Sequence, residues 1–477
     1  MSGTVGKNLF WKLLERFGVS GVQFVLQIVL ARLLGPECYG VLSILIIFTS
    51  LATVFVQTGF NTSLIQRKDV KEEDYSSVFW VMLAIAFLSY TIIFWAAPYI
   101  SIYFKMPDIV APLRVIALML FPGAFNAIQL AKISREMNFK VVFYGGIGGA
   151  IISGILSIIV AYMGGGIWAL VVQTLANQIA VCIIMYFMVR IPIRFFCNLN
   201  RVRDFISFGW KLTVSSLLNT LYEDLRSLVI GRKYDSSTLG YYNRGKQFPQ
   251  YIIKAVDGAV QSVMLPALSA QQDDNVRVKN MMRTSVTTSV YIIFPIMMGL
   301  AAIAPAFVQI LLGDAWMPCV PYMQIYCFSL AFTPVHTCNL QAINAMGRSD
   351  IFLKLEIIKK VYGIVILAAA VYFFDTPLAI AMTGLFSPWI GWFINAFPNK
   401  KLLGYSYVEQ MKDILPSMLM TGGMFVAVLF IGELQIPGFL LMIIQIIAGV
   451  VIYLVLSIIF KPTPFVGLIG FIKTNLK

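Results

Sequence analysis

Fourteen separate apolar runs, each long enough to cross a bilayer as a helix, leave this chain few ways to fold. A membrane-spanning helix needs about 20 apolar residues, because every backbone polar group in hydrocarbon must be satisfied within the segment. The runs lie near 10–33, 39–64, 77–98, 109–131, 141–163, 167–189, 206–231, 247–267, 284–311, 318–346, 351–374, 377–397, 411–431 and 437–460. Gly35-Pro36, Gly164 to Gly166 and Asp375-Thr376-Pro377 punctuate the tight pairs. Only 12% of the residues are charged, against about 25% in soluble domains. The expected class is an all-α polytopic membrane protein with about fourteen transmembrane helices. The first run is too long and too polar-striped for a signal peptide and is expected to be retained as helix 1.

In such a chain a net charge of +14 reports topology, not nucleic-acid affinity. The links after even-numbered helices carry the basic residues: Arg67, Lys68 and Lys71; Lys132, Arg135 and Lys140; Arg190, Arg194, Arg201 and Arg203; Arg277, Lys279 and Arg283; Arg348 and Lys354; Lys400 and Lys401. The links after odd-numbered helices are nearly bare. The positive-inside rule then puts both termini in the cytoplasm, as an even helix count requires. One link breaks the pattern. After helix 7 stand Arg232, Lys233, Arg244 and Lys246, read as basic side chains held within the protein and facing something anionic.

The chain reads as duplicated. Arg32 to Gly40 and Arg232 to Gly240 place the same Arg and closing Gly 200 residues apart. Gln57 and Asp69 correspond to Gln261 and Asp273, and Gln129 and Phe139 to Gln341 and Phe352. Six helices per repeat make the halves parallel repeats, and sites in such proteins usually lie between the halves. The expected organisation is an N-terminal lobe (1–200), a C-terminal lobe (201–405), and a final segment (406–477) holding helices 13 and 14 and a cytoplasmic tail. A central cavity between the lobes is part of the expectation.

Polar stripes on the first two helices of each half are the candidates for its lining. Helix 7 carries Asn219, Glu223 and Arg226 at i, i+4, i+7, with Asp224 beside them. Each such charge costs roughly 2.5–3.5 kcal/mol at the centre of a membrane helix, so a water-filled cavity or a partner charge is needed. Helix 1 carries Arg16, Ser20, Gln23 and Gln27; helix 2 carries Gln57 and Asn61; helix 8 carries Gln247, Gln250, Lys254, Asp257 and Gln261. Single Gln residues also serve as interhelical glue, worth about 0.6 kcal/mol per contact. Glu223, Asp224 and Asp257 are candidates for ion coupling. The competing reading pairs Glu223 with Arg226 and Asp257 with Lys254, each at i, i+3.

Other features point away from chemistry. The six cysteines are scattered without a CxxC and are expected to be free thiols. His336 stands alone and reads as a hydrogen-bonded core residue. No GxSxG, HExxH or P-loop pattern is present, so no enzyme, metal site or cofactor is expected. Gly347-Arg-Ser-Asp350 reads as a helix stop followed by a cap from Ser349 or Asp350, with Glu356 and Lys360 pairing on helix 11.

Ala31-Arg-Leu-Leu-Gly-Pro36 with Tyr39-Gly40, Val56-Gln-Thr-Gly59, Ile230-Gly-Arg232, Leu239-Gly-Tyr-Tyr-Asn-Arg-Gly245 and Gly347-Arg-Ser-Asp350 together carry a resemblance. The sequence resembles the polysaccharide transporter branch, the O-antigen-type oligosaccharide flippases, of the multidrug/oligosaccharidyl-lipid/polysaccharide exporter superfamily. The resemblance spans essentially the whole chain. It implies two six-helix lobes plus two helices, alternating access, and a bacterial inner-membrane location. The implied cargo is an undecaprenyl-diphosphate-linked oligosaccharide, with a glycan polymerase and glycosyltransferases as partners. Related proteins often carry an aspartate one turn before the Ile-Gly-Arg of helix 7, where this chain has Arg226.

On that reading Arg16, Arg226, Arg232, Arg244 and Lys254 are anion contacts, since guanidinium and ammonium groups bind phosphate. Gln23, Gln27, Gln57, Asn219 and Gln261 meet the glycan. A multidrug or small-metabolite antiporter of the same fold predicts an acidic, aromatic cavity instead. A membrane glycan polymerase or ligase predicts a sizeable polar extracytoplasmic loop, which the sequence lacks.

Overall fold

A computed structural model describes residue 11 and residues 18–67, 69–191, 193–196 and 198–475. Among the described residues all fourteen expected segments are helical, residue 10 and residues 12–17 of the first lying outside them. They are α1 (Ser20–Leu33), α2 (Pro36–Gln66), α3 (Glu72–Phe104), α4 (Pro107–Arg135), α5 (Phe139–Tyr162), α6 (Ile167–Met188), α7 (Leu199–Lys233), α8 (Ser236–Ser269) and α9 (Asn275–Leu311). Then come α10 in two parts (Val320–Ala331 and Thr333–Ala345), α11 (Ser349–Phe373), α12 (Pro377–Leu403), α13 (Tyr407–Gly432) and α14 (Gly438–Phe460). Among the described residues nine of these are long and apolar enough to cross a membrane by strict criteria. A further helix, α15 (Thr463–Asn475), occupies what the sequence suggested was a tail. It packs on α9, with the rings of Phe465 and Tyr291 6.4 Å apart.

By internal packing the chain forms two compact units, Met1–Gly240 and Tyr241–Lys477. In unit 1, α5 and α6 form the most extensive helix pair. A Cβ added to Gly148 or Gly149 would lie 2.5 Å from Ile184 or Val181 of α6. On its other side, a Cβ at Gly146 or Gly154 would strike Val19 or Leu26 at 2.8 and 2.4 Å. Without a hydrophobic drive between helices in lipid, such small-residue faces allow the close approach that holds them together. α7 packs on α2 and α3. It buries Val202, Phe205 and Gly209, and Arg67 stacks over the Phe205 ring at 4.6 Å.

The two duplicated stretches fold alike. In each, the closing glycine is the fifth residue of a new helix: Pro36 to Gly40 opens α2, and Ser236 to Gly240 opens α8. They also meet within unit 1. A Cβ on Gly40 would fall 1.7 Å from the Ser236 carbonyl oxygen, and one on Gly240 2.0 Å from that of Pro36. The exchange is reciprocal, first residue of one helix against fifth of the other.

This contact explains the anomalous basic link. α8 begins at Ser236, so the connection after α7 is only residues 234–235. Asp235 accepts from the Thr238 amide at 3.3 Å, and Leu239 and Tyr242 are fully buried. Arg244 and Lys246 therefore lie on a helix and not in a loop.

In unit 2, α9 packs against α10, α13, α14 and α15, while α12 packs against α10, α11 and α13. A buried amide network ties three of these. Asn339 and Gln410 exchange reciprocal bonds, each 3.0 Å. Trp392 Nε1 donates to Gln410 Oε1 at 2.7 Å, and Asn399 Nδ2 to Asn339 Oδ1 at 2.8 Å. His336 is buried beside it, with Nδ1 3.2 Å from Asn395 Nδ2, the core role expected from the sequence. At one end of the unit Lys279 bridges to Glu409 at 3.2 Å, and Arg283 pairs with Asp413. Tyr405, in the link before α13, donates to Asp413 at 2.8 Å; burial, then that bond, push its phenol up from the ordinary tyrosine value.

Two local expectations need correction. Gly347 does end α10 with a positive φ of 70°, but Arg348 takes the N-cap position and offers no side-chain cap. Arg348 forks onto Asp350 through Nε and Nη2, both at 3.0 Å. Glu356 pairs with Lys359, one residue before the expected Lys360. The five described cysteines are free thiols; Cys197 lies outside the described residues.

Candidate functional site

The polar residues expected to face cargo fall into distinct settings. Arg16 lies outside the described residues. In unit 1, Gln23 and Gln27 are half-buried on α1. Gln57 sits in a π-helical turn of α2, Val54–Thr58. Such single-turn widenings recur at functional positions. Gln57 Nε2 donates to the Gly123 carbonyl at 3.0 Å, tying α2 to α4. On α7, Asn219 and Glu223 are exposed and Asp224 and Arg226 half-buried, while Ser227 and Ile230 turn inward. The i, i+4, i+7 stripe therefore runs along the accessible side of its helix. Arg232 is exposed, its guanidinium over the Tyr103 ring at 4.8 Å.

In unit 2 the stripe on α8 is built of short-range bonds. Arg244 is buried, 5.5 Å from the Trp316 ring centre, and donates Nη1 to Gln247 Oε1 at 2.6 Å. Gln247 in turn donates to Tyr251 Oη at 2.8 Å. Lys254 is exposed. Asp257 does not take Lys254 as its partner. It accepts from Gln261 at 2.7 Å and from the Thr337 hydroxyl of α10 at 2.5 Å.

The sequence reading missed a groove of about 400 Å³ on unit 2. Pro295, Ile296, Gly299, Leu300 and Ile303 of α9 line it together with Met424 and Val428 of α13. Ile446, Gly449, Val450 and Leu454 of α14, and Ile252 of α8, complete the apolar lining. Ile446, Val450 and Leu454, at i, i+4, i+8, are about half exposed, so the groove opens outward. Its two polar side chains turn their tips into the protein. Gln445 Nε2 donates to the Val428 carbonyl at 3.1 Å, and Tyr453 Oη to that of Tyr291 at 2.8 Å. What remains is hydrocarbon. Helix α8 separates two environments: Ile252 faces the groove, and Lys254, two residues on, projects about 200° around the helix.

A family model described as "Polysaccharide biosynthesis protein" matches residues 29–321. The chain belongs to that family. Among the relatives of this chain is the succinoglycan biosynthesis transport protein ExoT of Rhizobium meliloti (strain 1021). It is 24% identical over 415 residues, covering 87% of this chain and 81% of that protein. The lipopolysaccharide biosynthesis protein WzxC of Escherichia coli (strain K12) is 22% identical over 361 residues, 73% of this chain and 71% of its own.

Solved structures show the fold. The lipid II flippase MurJ, in an inward closed conformation, aligns with a TM-score of 0.72 at 15% identity, over 95% of this chain and 98% of that one. An inward-facing multidrug resistance MATE family transporter of the MOP superfamily aligns at 0.62 and 15% identity, over 82% and 98%. With its apolar spans, the chain is therefore a multi-pass membrane protein that shares the fold of these two structures.

Proposed function

We propose that the protein is an alternating-access transporter that flips an undecaprenyl-diphosphate-linked oligosaccharide across the bacterial inner membrane for surface polysaccharide assembly, with both termini in the cytoplasm. The observation that carries this reading is the pairing, in unit 2, of a hydrocarbon groove with the polar and cationic α8 that borders it. The cargo has the same division: a long polyprenyl chain, a diphosphate and a glycan. Moving from lipid into the groove, the tail removes no apolar surface from water, so what holds it is van der Waals contact with the aliphatic lining, which a soluble sugar cannot supply.

Arg226, Arg232 and Lys254, with Arg16, serve as phosphate contacts as the polar head crosses the membrane, the 1–200 and 201–405 lobes alternating in access. Gln23, Gln27, Gln57, Asn219 and Gln261 meet the sugar hydroxyls. Glu223, Asp224 and Asp257 are the groups available to couple transport to an ion. The protein carries out no covalent chemistry; glycosyltransferases supply its cargo and a glycan polymerase consumes it. ExoT, named as a succinoglycan transport protein, is consistent with this assignment.

The test is reconstitution into liposomes with a fluorescent polyprenyl-diphosphate oligosaccharide, read by quenching with a membrane-impermeant reductant. Protein-dependent loss of the protected fraction is expected. Transport of a cationic dye with no movement of the lipid-linked glycan would overturn the assignment in favour of a drug antiporter.

A further inference from the structure

One end of unit 1 holds a second cavity, of about 730 Å³ and of different character. It lies where α3 passes into α4 and α5 into α6, at the opposite end of the helices from the links 67–71 and 136–138. Asp108 and Arg114 from the start of α4, Gly164, Gly165 and Gly166, and Trp168 in the first turn of α6 line it. Its size is that of a small-molecule site.

The geometry of these groups is specific. Gly164 and Gly166 hold φ at +78° and +52°, a region that side chains rarely adopt. A Cβ on Gly164 would meet nothing within 4 Å, so Gly164 leaves bare peptide facing open space, while one on Gly165 would fall 2.6 Å from Val160. Arg114 is locked in plane: its guanidinium lies 4.0 Å from the Phe94 ring centre, and Nε donates to the Phe94 carbonyl at 3.2 Å. Its two Nη groups have no partner among the described residues. Asp108 is exposed and likewise joins no hydrogen bond or ion pair among them.

A carboxylate and a guanidinium that share one cavity without neutralising each other exclude simple ions. Phosphate meets Asp108, and a cation meets Arg114. A pyranose satisfies both, because its hydroxyls donate to the carboxylate and accept from the guanidinium, while its C–H face lies on the indole. We propose that this cup is a saccharide subsite that engages a sugar of the cargo glycan at the non-cytoplasmic end of unit 1. This rests on the reading of the cargo as a lipid-linked glycan.

The test uses the full-length protein in nanodiscs, labelled with 5-fluorotryptophan. Fluorine NMR gives a resonance for each of the 8 tryptophans, and Trp168→Phe assigns the relevant one. The probes are cellotriose, chitotriose, isomaltotriose and, separately, inorganic phosphate. At least one trisaccharide is expected to move the Trp168 resonance saturably at millimolar concentration, and phosphate to leave it in place. Asp108→Ala is expected to weaken that response by about tenfold or more, the loss typical of a hydrogen bond to a charged group. No saturable shift with any trisaccharide, a shift caused by phosphate alone, or a response unchanged in Asp108→Ala would overturn the subsite. The flipping assay is read independently. Lost sugar binding with intact flipping refutes the subsite alone, and absent flipping with retained sugar binding refutes the transport reading alone.

Discussion

Gly59 and Gly209 touch through their backbones: a Cβ on Gly59 would lie 2.7 Å from the Gly209 carbonyl oxygen, and one on Gly209 2.8 Å from that of Gly59. The Thr213 hydroxyl, also 2.7 Å from the Cβ on Gly59, can swing aside, but the Gly209 main chain cannot, so turning a rotamer does not relieve the contact. Gly59→Ala is expected to destabilise unit 1 by about 1–3 kcal/mol, the usual cost of overpacking a tight contact. Adding Gly209→Ala should cost less than a second full increment, since the first methyl already parts the helices. Thermal unfolding of the detergent-solubilised variants measures both. Melting temperatures equal to wild type would show that α2 and α7 are not this close.

Gly299 offers a way to close the hydrocarbon groove without breaking the unit, because a Cβ there meets only Met424 Cε at 4.0 Å. Gly299→Leu should leave the melting temperature within a few degrees of wild type, the scale of a change of about 1 kcal/mol. The same variant should slow flipping of a long polyprenyl-linked glycan more than that of a short-chain analogue. Equal slowing of both cargoes would mean that the groove does not hold the tail.

Gln410 accepts from two donors and donates to a third group, all buried. Gln410→Leu strands the Trp392 indole N–H and takes one of two acceptors from Asn339 Nδ2, which keeps the Val335 carbonyl at 2.8 Å. The expected loss is about 1–3 kcal/mol for each buried donor left without an acceptor. Gln410→Glu, which keeps the acceptor oxygens, should be milder with respect to Trp392. Limited proteolysis of unit 2 ranks the variants, and a leucine variant as resistant as wild type would contradict the network.

Tyr405 predicts an alkaline sensitivity. Its phenol is raised above the unfolded value of about 10, so its contribution is fully present below that pH and is lost as pH climbs through the folded value. The melting temperature should therefore fall from about pH 10 upward. Tyr405→Phe starts lower by the lost bond to Asp413, about 1.5–3 kcal/mol for a charged acceptor, and falls less steeply. Parallel curves for the two proteins between pH 9 and 11 would remove Tyr405 as the cause.

Fourteen helices were legible because run length and hydropathy survive any packing, and the Arg…Gly spacing of the duplicated stretches proved to mark equivalent helix starts. What failed was the start of α8. Tyr241 to Lys246 has the polarity of a link, yet the Gly40–Gly240 contact and burial of Leu239 and Tyr242 hold it helical. The i, i+4 relation of Asp257 and Gln261 was visible in the stripe, whereas Thr337, 80 residues away, was not. The groove and the cup draw on helices distant in sequence, so no local pattern announces them. The one signal that went unused was Gly145 to Gly149, whose small-residue spacing marks a close helix contact.

The amide knot of α10, α12 and α13 also bears on how this chain is made. Asn339 and Asn399 emerge from the ribosome before Gln410 and can bond each other, but the acceptor shared by Asn339 and the Trp392 indole arrives only with α13. The network of unit 2 is therefore complete only once α13 has been made. Nascent chains that stop short of residue 410 are the ones that membrane quality-control proteases should recognise as unfinished.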